Sequence, residues 1–375
     1  MAEFNEHDGR GGRERGRGGR DMRRPNRDEQ REERRREAAR HTGLMKAAFG
    51  RETDEAIENA RIYEEGEGRA LLWGAEAAAA AAEAARRAAE MAEADADGAQ
   101  AGNEEAREAA EIAEEAAEAA EAEEAADPDG AAGAAPTATE TTVKVVTFFA
   151  PEALYRDATG KTMIVDPGAF TRPGGAYEDG AFGPEQILCS ESNLYPILVA
   201  HKRDFYDKNR DYRRGSLFTD RALYVPEVLF SRGGDVRRAD VLVIAEPVRA
   251  FALENHRSER ECDKALADRI EAIFRIAAAN GTETLIVGAF GCGRNGYPVE
   301  QVIELIQNWI AEHPGAVPNV VFAVPRMHAD AFREAFGAPE PERPAPVVVA
   351  EDEGDREGDD EDWRNVELPE GITLR

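Results

Sequence analysis

The chain has 375 residues and a formal net charge of -29, from 76 acidic and 47 basic residues. Length alone allows two or three domains, but the charge sits in appendages: 17 acids against Arg86, Arg87 and Arg107 between Glu76 and Asp127, and nine against Arg356 between Glu351 and Asp362. Acidic blocks repel nucleic acid and keep a chain dissolved. No apolar run approaches the ~20 residues of a membrane span, which excludes a spanning protein on helical grounds.

The first 30 residues are Gly/Arg-rich, as in Arg10-Gly-Gly-Arg13. Such a segment cannot bury a core and is expected to be a disordered arm. Its arginines suit phosphates, so weak contact with RNA or another phosphate-bearing polymer is the sharp reading and a solubilising tail the plain one. Residues 31–68 read as a helical segment with a broken apolar face (Ala39, Leu44, Ala47, Ala56, Ile57, Ile62). Residues 69–142 hold an Ala/Glu-rich run and a linker. Alanine and glutamate favour helix, but coiled-coil a and d positions need larger side chains than alanine. An exposed helical spacer is the expectation.

From Val143 to Gly337 the texture changes. Strands are expected at Val143–Phe149, Lys161–Asp166, Ala222–Phe230 (split about Pro226 as an alternative), Asp240–Ala245, Thr284–Gly288 and Asn319–Val324. Helices are expected at Gln186–Val199, Ser258–Asn280, Pro298–His313 and Ala329–Phe336. Short β-branched runs alternating with helices predict an α/β fold with a largely parallel sheet covered on both faces. Residues 338–375 are Pro-rich and then acidic, and are expected to be a disordered tail.

Two glycine-rich loops follow predicted strands: Val165 to Gln186, and Gly288-Ala-Phe-Gly-Cys-Gly-Arg-Asn-Gly296. In open α/β sheets ligands bind at the carboxyl ends of strands. Glycines let backbone N–H groups approach and face anionic oxygens. Each loop runs into a helix N-terminus, which also favours phosphate. Together they read as a two-loop cradle for a diphosphate, built from Gly174, Gly175, Ala176 and from Gly291, Cys292, Gly293, Arg294 and Asn295. Gly291-x-Gly293-x-x-Gly296 also fits the dinucleotide fingerprint of a Rossmann enzyme. It lies in the next-to-last unit, not the first, and the nearest downstream acid, Asp330, follows the wrong strand. The NAD-dependent dehydrogenase therefore ranks well behind.

The run Pro173-Gly-Gly-Ala-Tyr-Glu-Asp-Gly-Ala-Phe-Gly-Pro-Glu-Gln-Ile-Leu-Cys-Ser-Glu-Ser-Asn-Leu-Tyr195 resembles the signature of microbial-type poly(ADP-ribose) glycohydrolases. In that signature a glycine triplet and a short spacer precede Gln-Glu-Glu, then a helix with Leu-Cys and Ser-x-Leu-Tyr. The loop Gly288–Gly293 is similar to the family's second hallmark. Glu55–Tyr63 resembles its N-terminal helix segment, making the Ala/Glu run an insertion. The resemblance implies a macrodomain-like fold with an N-terminal helical extension, binding ADP-ribose, poly(ADP-ribose) or an ADP-ribosylated protein. It implies hydrolysis of ribose–ribose bonds, in which the second glutamate of Gln-Glu-Glu protonates the leaving oxygen.

The chain departs from the pattern where chemistry needs it. Gln186 stands at the acid's position, Glu185 is kept and the preceding glutamine is Pro184. Ala176 replaces the third glycine, Asp166 the asparagine that contacts the distal ribose, and Asn295 an aromatic. Hydrolysis would then fall to Glu185, or to Asp166, Glu178 or Asp179, and the alternative is a reader that binds without turnover. Six histidines without ligand spacing predict no metal site, and no cofactor is expected. Cys189 and Cys292 read as small buried residues rather than nucleophiles, and Tyr195 and Phe182 as core. Glu185 could instead cap its helix, and Glu246 and Arg249 could reach a ligand or sit in a solvated loop. Three sparse cysteines suit a reducing, cytoplasmic setting.

Overall fold

The computed structural model describes residues 26–74 and 140–338, with scattered positions between 77 and 87. The Gly/Arg-rich arm through Pro25, most of the Ala/Glu run, the linker and the acidic tail lie outside the described residues. Among the described residues no helix is long and apolar enough to cross a membrane.

One seven-stranded sheet organises the domain, in the order β1-β4-β5-β3-β6-β7-β2. The strands are β1 (Arg61–Tyr63), β2 (Thr142–Val146), β3 (Thr162–Asp166), β4 (Ala222–Arg232), β5 (Asp235–Ile244), β6 (Thr284–Val287) and β7 (Asn319–Ala323). The five strands from β5 to β2 run parallel to one another, and β4 and β1 add antiparallel partners at one edge. The sheet is thus mixed and largely parallel.

Side chains alternate across the parallel strands, and each face is buried by helices, so both sets are apolar. Met163, Val165, Leu242, Ile244, Leu285 and Phe322 point to one face. There they meet α6 (Glu259–Ala279), α7 (Val299–Glu312) and α8 (Arg326–Phe336). Ile164, Val241, Val243, Ile286 and Val321 point to the other. That face is covered by α1 (Arg27–Glu58), α2 (Ala150–Arg156), α3 (Pro184–Ser190) and α4 (Leu194–Ala200). The short α5 (Arg249–Glu254) follows β5. The longest of the helices in the sheet-forming half, α6, starts on a reciprocal cap: Glu261 N–H donates to Ser258 Oγ and Ser258 N–H to the Glu261 carboxylate.

Three expectations change and one alternative is decided. Ile62 and Tyr63 are strand, not helix end, because Arg61–Tyr63 pairs with Ala222–Tyr224. The strand expected at Ala222–Phe230 stays one strand to Arg232, and at Pro226, where a split was the alternative, it bulges: the register shifts between Val225 and Val228, and Glu227 takes a left-handed φ of 57°. β5 begins at Asp235, earlier than expected, because Gly233-Gly234 closes a two-residue hairpin with both φ angles positive. The expected helix from Gln186 to Val199 is two. Asn193 leaves the helical path and spends its side chain elsewhere, donating to Thr53 Oγ1 at 3.0 Å and accepting from Leu229 N–H at 2.9 Å.

Those Asn193 bonds tie α1 to the sheet. Ala38, Met45, Thr53 and Ala56 are its buried face. The segment after β1 is tied as firmly. Arg69 pairs with buried Asp220 at 2.6 Å, Arg221 is buried against Glu64 at 2.7 Å, and Arg275 donates to the Leu71 carbonyl at 3.1 Å.

Candidate functional site

The carboxyl ends of β5, β3 and β6 lie side by side, and the chain leaving each builds one wall of a cleft. From β3 comes the first glycine loop. Gly174, Gly175 and Ala176 take φ of 63°, 50° and 71° in succession, a left-handed run that glycine adopts freely and alanine does not. The close approach is as strict as the dihedral. A Cβ on Gly174 would stand 2.7 Å from the Tyr195 ring, and one on Gly175 2.3 Å from Glu185 Oε2. Ala176 is the strained member. Ala176→Gly is expected to stabilise the fold by about 1 kcal/mol, read as a rise in the midpoint of chemical unfolding.

Glu185 lies in the first turn of α3, yet it caps no helix. Its carboxyl turns back into the loop, where Oε2 accepts from Ala169 N–H at 3.0 Å and Oε1 has no partner. Asp166 ends β3, fully buried, with neither oxygen partnered. Both carboxyls approach Gly168, whose missing Cβ would be 3.6 Å from Glu185 Oε1 and 3.7 Å from Asp166 Oδ2. Burial, and then the nearby Glu246 charge, raise Asp166 to about 8. Burial, and then Asp166, hold Glu185 well above the usual carboxylate range. Two buried acids without cations resolve their repulsion by keeping protons.

Gln186 is held in place by the loop it would have to serve. Its Nε2 donates to the Gly174 carbonyl at 3.1 Å, to the Gly175 carbonyl at 3.3 Å and to Glu185 Oε2 at 3.4 Å. An amide in that position donates hydrogen bonds but has no proton to give up.

The second loop crosses from β6. Gly291, Gly293 and Gly296 have φ of 78°, 67° and 90°. Glu246, just past β5, accepts from Gly291 N–H at 2.7 Å and from the Asn295 amide at 2.5 Å. It therefore belongs to the cleft wall rather than to a solvated loop. Burial raises its pKa against the pull of those two donors and of Arg294. The preceding residue is fixed by buried Arg269, which donates to the carbonyls of Ala245, Ala265 and Leu217.

Other candidates are engaged in other contacts or are unreactive as placed. Glu178 and Asp179 are on the surface and both pair with Arg172, at 3.2 and 2.6 Å. Arg249 is mostly buried and pairs with exposed Glu259 at 3.2 Å. Cys189 and Cys292 are buried thiols, and burial pushes the second up to about 12, so neither is poised as a thiolate. Tyr195 is half-buried and donates to Glu178 at 2.7 Å. The expectation that Phe182 is core is corrected: it is 66% exposed, edge-on to Phe149 and under the Arg34 guanidinium. Among the described residues no group of three or more acids, histidines or cysteines could hold a metal ion.

Two cavities open beside the loop. One, of about 450 Å³, lies between α1 and α3 and is lined by Arg34, Arg40, His41, Tyr177, Phe182 and Gln186 among others. The second, of about 660 Å³, is lined by Thr171, Arg172, Pro173, Lys202, Arg210 and Arg213. Four of its six lining residues are cations, of which Arg172 pairs with Glu178 and Asp179, and Lys202 and Arg210 share Asp207.

The family model for the microbial-type PARG (poly(ADP-ribose) glycohydrolase) catalytic domain matches residues 45–233, half of the chain. The chain belongs to this family. The matched stretch contains the first glycine loop, Glu185 and Gln186, and ends in the β4–β5 turn, so the second loop lies beyond it. Among solved structures, a poly(ADP-ribose) glycohydrolase of Thermomonospora curvata bound to the inhibitor ADP-HPD is 20% identical, with a TM-score of 0.54. That match covers 82% of this chain and 98% of that one. The poly(ADP-ribose) glycohydrolase of Deinococcus radiodurans in complex with ADP-ribose is 19% identical, with a TM-score of 0.52 over 76% of this chain and 97% of its own. At these identities the likeness speaks for the fold. No curated protein matches the chain.

Proposed function

We propose that this PARG-family domain binds the terminal ADP-ribose unit of poly(ADP-ribose) and has lost most of the family's hydrolytic rate. One observation carries the reading. Gln186, which the resemblance to the family signature sets at the acid's position, has its amide tied to the carbonyls of Gly174 and Gly175. Binding needs the two left-handed loops, which are intact. Turnover needs a proton for the leaving ribose oxygen, which general acid catalysis supplies at a gain of ~10²–10⁴-fold. Burial raises Asp166 to about 8 and holds Glu185 well above the usual carboxylate range, which weakens their opposition to a diphosphate. A cytoplasmic setting fits three unpaired cysteines.

A second reading rests on Glu185. It is buried, its carboxyl is held well above the usual carboxylate range by burial and then by Asp166, its Oε1 has no partner and it lies against the same loop, so it could donate the proton in place of residue 186. Release of ADP-ribose from poly(ADP-ribose) by the purified chain separates the two. Binding without release supports the reader, and release abolished by Glu185→Ala supports the relocated acid.

The cationic cavity favours polymer over monomer as ligand. Its Arg172 is one residue from the glycine loop's entry, where a second diphosphate of the same chain could follow. Arg210→Glu with Arg213→Glu is expected to weaken poly(ADP-ribose) binding by about tenfold at low salt, measured by filter binding, and to leave the affinity for monomeric ADP-ribose unchanged. Equal loss for both ligands would put these arginines at the terminal unit instead.

A further inference from the structure

The diphosphate reading meets an occupant. Gly291 N–H and the Asn295 amide are donors of the second loop, and both point at Glu246. A carboxylate offers two anionic oxygens on one side, the same acceptor chemistry as one edge of a phosphate. In the second loop these two donors are therefore already engaged by an internal carboxylate. We infer that Glu246 is a built-in competitor for the ligand's phosphate, seated on the loop's donors and displaced when a diphosphate enters. This rests on the proposed binding function and sharpens it.

The surroundings decide the direction of the effect. From β3, Asp166 faces Glu246 closely enough for their charges to interact, and it has no other partner. From α3, Glu185 adds a third acid beside Asp166. From the second loop, Arg294 opposes them with a positive charge and Cys292 contributes a protonated thiol. A diphosphate entering this ring adds negative charge, which favours the protonated form of each acid. Binding should therefore take up protons, and affinity should rise as pH falls from 8 to 6. A site that used Glu246 to accept a hydrogen bond from a ligand hydroxyl or amine would behave oppositely, losing affinity when the carboxylate is neutralised.

The test is calorimetric titration of the full chain with ADP-ribose, in two buffers of different ionisation heat, for wild type, Glu246→Gln and Glu246→Ala. Thermal unfolding confirms that each variant is folded, and the near-isosteric glutamine keeps the test available if alanine unfolds the loop. Both variants are expected to bind about tenfold more tightly at pH 7.5 and to take up fewer protons than wild type. Unchanged or weaker affinity in the folded variants, or proton uptake equal to wild type, overturns the competitor while leaving ADP-ribose binding in place. Absence of binding to wild type and to both variants at millimolar ligand overturns the binding function itself, and the competitor with it.

Discussion

Gln186→Glu is expected to raise the release of ADP-ribose from poly(ADP-ribose) by about 10²–10⁴-fold over the wild-type chain. The position is prepared for an acid. The glutamate would face the carbonyls of Gly174 and Gly175, which now accept from the Gln186 amide at 3.1 and 3.3 Å. Two carbonyl oxygens disfavour a carboxylate and favour a carboxyl that donates to one of them, so the introduced acid should hold its proton above the ordinary range. Glu185, 3.4 Å from the same amide, pushes in the same direction. That is the state a general acid needs near neutral pH. Release is measured under single-turnover conditions, so that product dissociation does not mask the chemical step. A variant no faster than wild type would mean that another missing contact limits the reaction. Asp166, Ala176 and Asn295, which the resemblance to the family signature sets against other residue types, would then be the next positions to change.

The second large effect is on stability. Asp166 is fully buried, unpartnered and raised from 3.8 to about 8. In the unfolded chain it releases its proton near the ordinary carboxylate value, so between about pH 4 and pH 8 only the folded state holds it. Its contribution is thus present in acid, is lost steadily as pH rises through that window, and changes no further above 8. At pH 8 the accumulated loss is on the order of 4 kcal/mol, or roughly 10 °C of melting temperature for a domain of this size. Asp166→Asn removes the titrating group and keeps the shape. The variant should melt well above wild type at pH 8 and close to it at pH 4. Glu185 retains its own dependence of the same sign, so the slope flattens without vanishing. Calorimetric scans across pH 4–8 read the difference, and parallel curves for the two proteins would remove the charge from Asp166.

The two left-handed glycine loops were legible in the sequence because their requirements are local. Gly174-Gly175 and Gly291-x-Gly293 mark positions where a side chain cannot follow the backbone, and the left-handed φ angles at all four positions bear this out. Strands β3, β6 and β7 were legible for the same reason, as short apolar runs buried on both faces, and edge strand β2 as a β-branched run buried at its carboxyl end. The parts that escaped depend on distant partners. Ile62 and Tyr63 carry helical spacing, and only pairing with Leu223 and Ala222 makes them strand. Asn193 looks like an ordinary helix residue until Thr53 and Leu229 claim its amide. The Gly233-Gly234 turn was a readable hairpin signal between two apolar runs. Convergence of Asp166, Glu185 and Glu246 was not readable, because it follows from the strand order β5-β3-β6, which no spacing in the chain encodes. Phe182 was misjudged because apolarity predicts burial only on average, and here an arginine and a second phenylalanine hold an exposed ring.

The most direct measurement of the central claim is titration of the purified full chain with ADP-ribose, followed by its heat of binding and by the shift in melting temperature. Saturable binding at one site per chain, together with little or no ADP-ribose released from polymer over the same hours, is the predicted result. No heat and no shift at low millimolar ADP-ribose would contradict it.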